Sequence, residues 1–295
     1  MSKVSVIMSV YNGERHLRES VDSILNQTFQ DFEFIISNDG SKDQSKYILE
    51  SYKDERIKLI HHKNMGLTKS LNIGIANAKG KYIARQDADD ISEPERLKTQ
   101  FDFMEANPGV GLTGSRFKLI NETGQLIGSS SLPLEDKVIK DMLIEMNQFC
   151  HGSVMIRRDA LDKIGLYRDC FKYAQDYDLW LRISEKYKVM NLPELLVCYR
   201  MVDNSITSNK MLLQSRYAGL AIKQALLRRQ TGVDEIQQGK TPDLPHFKQL
   251  PKTIKANIVS YYRNRRREML RTKNIGMYLK DTLMLYRVKF HEFGE

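Results

Sequence analysis

Three carboxylates stand within four positions of the sequence, in the stretch RQDADD of residues 85–90. Asp87, Asp89 and Asp90 come directly after an apolar, strand-like stretch, and like charges this close together repel one another. Carboxylate oxygens are ligands that hard cations such as Mg²⁺ and Mn²⁺ prefer. An ion held there would bridge phosphate oxygens and offset the charge on a leaving diphosphate. A solvated turn is the alternative interpretation of the same three residues.

Two more polar stretches follow apolar ones, YNG from Tyr11 and NDGS around Asp39. In an open parallel sheet, ligands bind beyond the carboxyl ends of the strands. A tyrosine ring can stack on a nucleobase there, and the Asp39 carboxylate can accept a hydrogen bond from a ring N–H. Asn-Gly and Asp-Gly-Ser are also common turn sequences, so each stretch alone is weak evidence. Their coincidence with the carboxylates at one edge favours a nucleoside diphosphate.

The elements that would position these residues repeat along the first hundred residues. Apolar, β-branched stretches begin at Val4, Phe32, Ile57 and Tyr82, and segments with helical spacing lie between them. This order predicts an α/β fold of the Rossmann-like kind, with a mainly parallel, mixed sheet flanked by helices. After residue 107 a hairpin, a helix and further strands are expected. The glycine-rich phosphate loops of ATPases and dinucleotide-binding proteins are absent from the sequence.

The composition is that of a soluble globular protein, with 41% hydrophobic and 28% charged residues. No stretch approaches the 18 or so apolar residues that a membrane span needs, and the N-terminal stretch is interpreted as a first strand rather than a signal peptide. The three cysteines are odd in number and lack the spacing of a metal site. These features favour a cytoplasmic protein.

The net charge of +9 is concentrated at the C-terminus. Residues 251–295 hold 11 Lys or Arg against 4 Asp or Glu. We therefore predict a catalytic domain at 1–208 and a basic α-helical extension at 209–295. The extension could pack on the domain, pair subunits into an oligomer, or contact anionic lipids or a polyprenyl-diphosphate acceptor at the inner face of the cytoplasmic membrane. A nucleic-acid partner is not expected, because no recognised binding module accompanies the charge.

Four stretches in order resemble the pattern of glycosyltransferase family 2. They are VSVIMSVYNGERHLRESVDSILNQTFQDFEFIISNDGS, NMGLTKSLNIGIANAKGKYIARQDADD, FCHGSVMIRRDAL and YAQDYDLWLRI, and the resemblance covers about residues 3–203. It implies an inverting enzyme with a GT-A fold. YIARQDADD with CHGSVMIRR most resembles bacterial enzymes that build exopolysaccharide, capsule or O-antigen units, and the acceptor would be a glycan or a lipid-linked sugar.

The resemblance also implies roles for individual residues on the donor side. Tyr11 and Asp39 match the nucleobase contacts, usually to uracil, so a UDP-sugar is the expected donor. Asp87 and Asp89 match the outer carboxylates of the DXD motif. Asp89 would be the main contact to Mn²⁺ or Mg²⁺, Asp87 would touch the metal, the ribose or the sugar, and Asp90 would share either role.

On the acceptor side the resemblance assigns Asp176 as the general base, with an N-cap of the following helix as the alternative. Gln175 stands where relatives carry Glu, which puts an extra acceptor contact in doubt. His151 would line the acceptor wall. Many relatives carry Arg at the position of Leu71, and Lys69 could supply the diphosphate contact instead.

Two rival functions are weaker. A sugar-nucleotide nucleotidyltransferase usually opens with a glycine-rich, basic loop after its first strand, and SVYNGERHL lacks that loop. A catalytically inactive nucleotide-binding scaffold has no use for the intact Asp87, Asp89 and Asp176.

Overall fold

The computed structural model describes residues 2–201 and 206–271, and these form two compact units. The first unit comprises residues 2–143 and 147–201, and the second comprises 144–146 and 206–271. Residues 272–295 lie outside the described part of the chain, and with them much of the predicted membrane- or acceptor-binding segment. The functional assignment of the extension therefore stays a prediction.

The four strands predicted at the start of the chain begin at the expected residues. They are the first four of the strands in the described residues, which are β1 (Val4–Val10), β2 (Phe32–Asp39), β3 (Ile57–His62), β4 (Tyr82–Gln86), β5 (Ile91–Ser92), β6 (Val110–Ile120), β7 (Leu126–Ser129), β8 (Met155–Arg157) and β9 (Lys188–Arg200). The helices are α1 (Leu17–Leu25), α2 (Ser45–Glu50), α3 (Leu67–Ala76), α4 (Arg96–Ala106), α5 (Asp136–Met142), α6 (Arg158–Ile164), α7 (Gln175–Ser184), α8 (Ile206–Thr231) and α9 (Lys252–Arg271).

The strands of the first unit form one mixed sheet in the order β3-β2-β1-β4-β8-β6-β9-β5, with β7 paired to β6. The pairs β1–β2, β1–β4, β2–β3 and β6–β9 are parallel, whereas β8 runs antiparallel to β4 and β6. The central strands are buried along almost their whole length, as expected of strands covered on both faces. The predicted α/β fold with a mainly parallel, mixed sheet is confirmed.

The register of the parallel strands brings their carboxyl ends together. Val10 pairs with Asn38 on one side, and Met8 pairs with Gln86 on the other. The residues that follow β1, β2 and β4 therefore emerge at the same edge of the sheet.

Helices fix this edge by packing on the sheet. The apolar spacing of α1 buries Leu17, Val21 and Ile24 completely, and each fully buried aliphatic side chain contributes about 1.5–3 kcal/mol. Gly74 lets α3 approach β1 closely, because a Cβ at this position would lie 2.7 Å from Cγ2 of Ile7. The helices thus hold the loops at the strand ends in fixed positions.

The second unit contains, in its described part, the helices α8 and α9 and a 3₁₀ helix, Phe247–Gln249, in the connection between them. Buried apolar residues of α8 include Leu220 and Ile222, and those of α9 include Ile254 and Ile258. Arg228 and Asp234 form a buried ion pair within this unit. None of the helices in residues 2–201 and 206–271 is long and apolar enough to cross a membrane.

Candidate active site

The loops after β1 and β2 are joined by hydrogen bonds between side chains and backbone. The Asn12 N–H donates to Oγ of Ser41 over 3.0 Å, and the Lys42 N–H donates to Oδ1 of Asn12 over 2.8 Å. Asn12 has a φ of 53°, in the left-handed region that Asn tolerates better than most residues. Tyr11 lies beside this junction and is 50% exposed, so its ring is accessible for stacking.

Asp39 is only 2% exposed and holds the loop that precedes α3. Its Oδ1 accepts the Met65 N–H at 2.6 Å, and its Oδ2 accepts the Gly66 N–H at 2.9 Å. Nδ1 of His62 lies 3.3 Å from Oδ1. An ionised carboxylate offers about four lone-pair positions, so these contacts leave capacity for a nucleobase N–H. The nucleobase contact stays a prediction, and the loop contact is a role that the sequence did not indicate.

Lys69 and Leu71 lie on different sides of α3. Lys69 is exposed in the first turn of the helix, whereas Leu71 is buried. On a third side, Asn72 pairs with the backbone of Tyr167, donating from Nδ2 to the carbonyl (2.8 Å) and accepting the N–H at Oδ1 (3.2 Å). Lys69 is thus the accessible cation of this turn, and its diphosphate contact stays a prediction.

Asp87 is paired with a buried cation. Its Oδ1 accepts a hydrogen bond of 2.5 Å from Nη2 of Arg85, a residue that is 2% exposed. Burial acts to raise the pKa of Asp87, but neighbouring cations, Arg85 first among them, hold that pKa below its usual range. Asp87 is therefore ionised at neutral pH.

Within the described residues, Asp89 and Asp90 have no such ion-pair partner, and their pKa values shift in the opposite direction. Burial, followed by the negative charge of Asp87, raises the pKa of Asp89 to about 6. Burial and the other two carboxylates also raise the pKa of Asp90, which is 1% exposed. Arg200 holds this loop by two hydrogen bonds. Its backbone N–H donates to Oδ1 of Asp90 (2.8 Å), and its side-chain Nε donates to the Asp89 carbonyl (2.9 Å).

The residues around this loop fit a divalent cation. Oδ2 of Asp90 is buried and has no hydrogen-bond partner in the described part of the chain. A Cβ on Gly152 would lie 2.9 Å from Oδ2 of both Asp87 and Asp90, so glycine leaves a small space beside two carboxylate oxygens. Among residues 2–201 and 206–271, no three His, Cys, Asp or Glu side chains form a complete metal cage. Mg²⁺ is typically held by one or two carboxylates together with waters and substrate phosphates, which agrees with a partial site.

His151 lies beside the carboxylate loop in a 3₁₀ turn, His151–Ser153. Its Nε2 is 2.9 Å from Oη of Tyr167, and its ring packs edge-to-face on Trp180 with the centroids 6.1 Å apart. Burial, followed by the charge of Arg85, lowers the pKa of His151, although two nearby carboxylates act in the opposite direction. The imidazole is therefore neutral at neutral pH. The two carboxylates are Asp87 and Asp176, so His151 stands near both the donor and the acceptor residues.

Asp176 lies in the first turn of α7 and is partly exposed. Its Oδ2 accepts a 2.9 Å hydrogen bond from Nδ2 of Asn147. The N-cap position is occupied by Ala174, with a left-handed φ of 53°, and Gln175 is the buried first residue of the helix. Asp176 is therefore not the N-cap, which removes the structural alternative considered for it. Its role as a base stays a prediction.

Sequence reasoning missed four residues of this site. Arg85 could have been found, because a charged residue inside a strand covered on both faces requires a buried partner. Asn147, Tyr167 and Arg200 carried no such signal. They reach the site across long sequence separations, 29 residues in the case of Asn147 and Asp176.

The comparisons with known proteins show the family and the fold. The family model for glycosyl transferase family 2 matches residues 5–165. This chain belongs to glycosyltransferase family 2. The enzyme is thus a glycosyltransferase, as the resemblance implied. Asp176 and Gln175 lie beyond the matched residues, so the family match leaves their roles as predictions.

Curated relatives are similar over most of the chain. The putative glycosyltransferase EpsE of Bacillus subtilis is 38% identical over 210 residues, which are 69% of this chain and 74% of EpsE. The O-antigen biosynthesis glycosyltransferase WbnJ of Escherichia coli is 34% identical over 235 residues, or 78% of this chain and 91% of WbnJ. An uncharacterized glycosyltransferase of Haemophilus influenzae is 36% identical over 218 residues, which are 70% of this chain and 67% of that relative.

Solved structures support the fold. S. aureus TarS 1–349 in complex with UDP-GlcNAc aligns with a TM-score of 0.64 at 17% identity, covering 100% of this chain and 93% of that one. Likeness at this identity shows the fold alone, and it confirms the expected GT-A type.

Proposed function

We propose that this enzyme transfers a sugar from a nucleotide-sugar, expected to be a UDP-sugar, to a hydroxyl group of a glycan or lipid-linked acceptor. The reaction would invert the anomeric carbon, depend on a divalent cation and serve bacterial surface-polysaccharide assembly. The observation that carries the proposal is that Asp87, Asp89 and Asp90 are clustered at the sheet edge, with Oδ2 of Asp87 and of Asp90 beside the space at Gly152. The name of WbnJ, an O-antigen biosynthesis glycosyltransferase, supports a role in polysaccharide assembly, and the complex of TarS with UDP-GlcNAc supports a UDP-sugar as the donor.

The donor half of the site would bind the nucleotide at the edge of the sheet. Tyr11 would stack on the base, and Asp39 would accept a ring N–H while it keeps the loop before α3 in place. Lys69 would contact the diphosphate. Asp89, with Asp87 and Asp90, would hold Mn²⁺ or Mg²⁺, which when bound supplies positive charge to the departing diphosphate.

The acceptor half would use Asp176 as a general base. Its Oδ1 has no hydrogen-bond partner among the described residues, whereas Oδ2 is held by Asn147. Oδ1 would take the proton of the acceptor hydroxyl as that oxygen attacks the anomeric carbon from the face opposite the diphosphate. A single displacement of this kind inverts the anomeric centre and requires no covalent sugar intermediate. His151 and Gln175 would form part of the acceptor wall.

Thermal unfolding against nucleoside diphosphates tests the donor assignment. The protein is heated with UDP, GDP, CDP or dTDP, each with Mn²⁺ and with EDTA. A ligand at about a hundred times its dissociation constant stabilises a protein by roughly 2.7 kcal/mol, which raises the Tm by several degrees. We expect a rise for UDP that is lost in EDTA. The absence of a rise for every diphosphate would contradict the donor site.

Asp176→Asn tests the acceptor half and separates an enzyme from an inactive scaffold. The variant should keep the UDP- and Mn²⁺-dependent rise in Tm, because Asp176 lies outside the proposed donor contacts. It should lose most of the UDP release from the UDP-sugar that the wild type uses. Release at the wild-type rate would reject Asp176 as the base.

We further propose that the enzyme works at the inner face of the cytoplasmic membrane through residues 251–295. The support is charge: α9 carries, by sequence, Lys252, Lys255, Arg263, Arg265, Arg266, Arg267 and Arg271 against one acidic residue, Glu268. Near an anionic surface each such cation contributes about 1 kcal/mol. Sedimentation with vesicles containing anionic lipid should fall at high salt and after replacing residues 265–267 by glutamine. Sedimentation that is insensitive to both changes would reject the proposal, and analytical ultracentrifugation without vesicles would reveal pairing of subunits instead.

A further inference from the structure

In the described part of the chain, one side chain donates a hydrogen bond to the carboxylate of Asp176. Nδ2 of Asn147 donates to Oδ2 over 2.9 Å. The terminal torsion of an aspartate is broad and roughly two-fold, so an unheld carboxylate samples a range of orientations. A bond to one oxygen restricts that torsion and fixes the direction in which the other oxygen points.

Asn147 is itself oriented by the backbone that follows it. Its Oδ1 accepts the Phe149 N–H over 3.1 Å, so Nδ2 faces Asp176. Phe149 is 5% exposed, and its ring packs on the completely buried Trp180 with the centroids 6.1 Å apart. The amide is therefore fixed by a turn that is anchored in the core of the first unit.

We propose that Asn147 is a positioning residue for the transfer reaction. By holding Oδ2 it directs Oδ1 of Asp176 toward the acceptor hydroxyl, and it contacts neither the donor nor the acceptor. The inference rests on the proposed role of Asp176 as the base. Proton removal and attack occur together in this step, so a misplaced base slows the step without weakening donor binding. A displacement of about 1 Å can cost on the order of 100-fold in rate.

The test compares Asn147→Ala with the wild type in UDP release from UDP-glucose, UDP-galactose, UDP-GlcNAc and UDP-GalNAc, with water or an added glycan as acceptor. We expect kcat to fall by roughly 10- to 100-fold, with an unchanged KM for the donor and an unchanged rise in Tm with UDP and Mn²⁺. Asn107→Ala is a matched control, because the one hydrogen bond of this side-chain amide among the described residues goes to the carbonyl of Phe103, which is not a site residue. The control should retain the wild-type rate.

A double-mutant cycle separates positioning from a general structural role. In the Asp176→Asn background Asn147 has no carboxylate to orient, so Asn147→Ala should lower the residual rate no further. Two multiplicative losses, or a lost response to UDP and Mn²⁺, would overturn the inference in favour of a structural role. A wild-type rate in Asn147→Ala, with Asp176→Asn inactive, would overturn the inference alone. No UDP release by the wild type from any of the four donors, in water or with the glycan, would overturn the proposed function and the inference with it.

Discussion

Replacing Asp89 by asparagine should stabilise the protein at neutral pH in the absence of metal. Burial, followed by the negative charge of the ionised Asp87, raises the pKa of the Asp89 side chain from 3.8 to about 6. A carboxyl group with a raised pKa binds its proton more tightly in the folded than in the unfolded protein. The free energy of unfolding therefore falls as the pH rises from about 4 to about 6, and the whole cost is present at pH 7.5.

The size of the effect follows from the shift. Each pKa unit corresponds to 1.36 kcal/mol, so a rise of about two units costs up to about 3 kcal/mol. Because Asp89 is partly exposed, solvent screens part of this electrostatic cost. We therefore expect Asp89→Asn to raise the free energy of unfolding by about 1–3 kcal/mol. For a unit of about 200 residues this gain corresponds to a rise in Tm of roughly 2–10 °C.

The assay is thermal unfolding from pH 4 to pH 8 in EDTA, repeated with Mn²⁺ at pH 7.5. Asp89→Asn should melt above the wild type at pH 7.5, and the difference should disappear near pH 4. Added Mn²⁺ should raise the Tm of the wild type more than that of the variant. Asp169→Asn, at an exposed loop position, is the control and should change little. A variant that melts at or below the wild-type temperature at pH 7.5 would refute the electrostatic reasoning.

Three further substitutions test the surroundings of the site. Gly152→Ala puts a methyl group 2.9 Å from oxygens of Asp87 and Asp90, so Mn²⁺ affinity measured by calorimetry should fall by roughly 10- to 100-fold while the protein still folds. Ala174→Gly should raise the free energy of unfolding in urea by about 0.5–1 kcal/mol, because glycine removes the left-handed strain at the start of α7 at some cost in chain entropy. Trp180→Ala should lower the free energy of unfolding by roughly 3–5 kcal/mol, because the indole is completely buried and packs against His151.

The sequence predicted the part of the fold that depends on local pattern. The starts of β1 to β4 agree because apolar runs covered on both faces leave a clear signal between polar loops. The shared edge of Tyr11, Asp39 and the carboxylate loop follows from the parallel order of those strands. Each of these inferences needs only neighbouring residues and the general topology of α/β proteins.

Contacts between distant segments could not be predicted. Nothing in the sequence around Asn147 indicates that its amide faces Asp176, because that contact depends on how the turn before β8 packs against α7. Arg200 is the last residue of β9 and reaches the carboxylate loop across 110 residues. Asp39 shows a related limit: the turn sequence indicated a ligand contact, whereas the structure also uses its carboxylate to hold two backbone N–H groups.

Backbone strain and uncompensated charge occur together at this site. The non-glycine residues with positive φ in the described chain are Asn12, which follows Tyr11, and Ala174, which precedes Gln175. Asn12 lies just after the end of β1 and Ala174 just before the start of α7, each next to a candidate site residue, and strained residues often cluster at functional sites.

The charges at this site, like the strained backbone, lower the stability of the fold where the candidate functional residues lie. Arg85 pairs with Asp87, whereas burial and neighbouring carboxylates raise the pKa values of Asp89 and Asp90, and one oxygen of Asp90 has no hydrogen-bond partner among the residues described. A fold selected for stability alone would replace one of these carboxylates with an amide. The proposed binding of a dication and a diphosphate would favour the opposite, because Asp89 and Asp90 would supply carboxylate oxygens to the cation while Arg85 compensates the charge of Asp87.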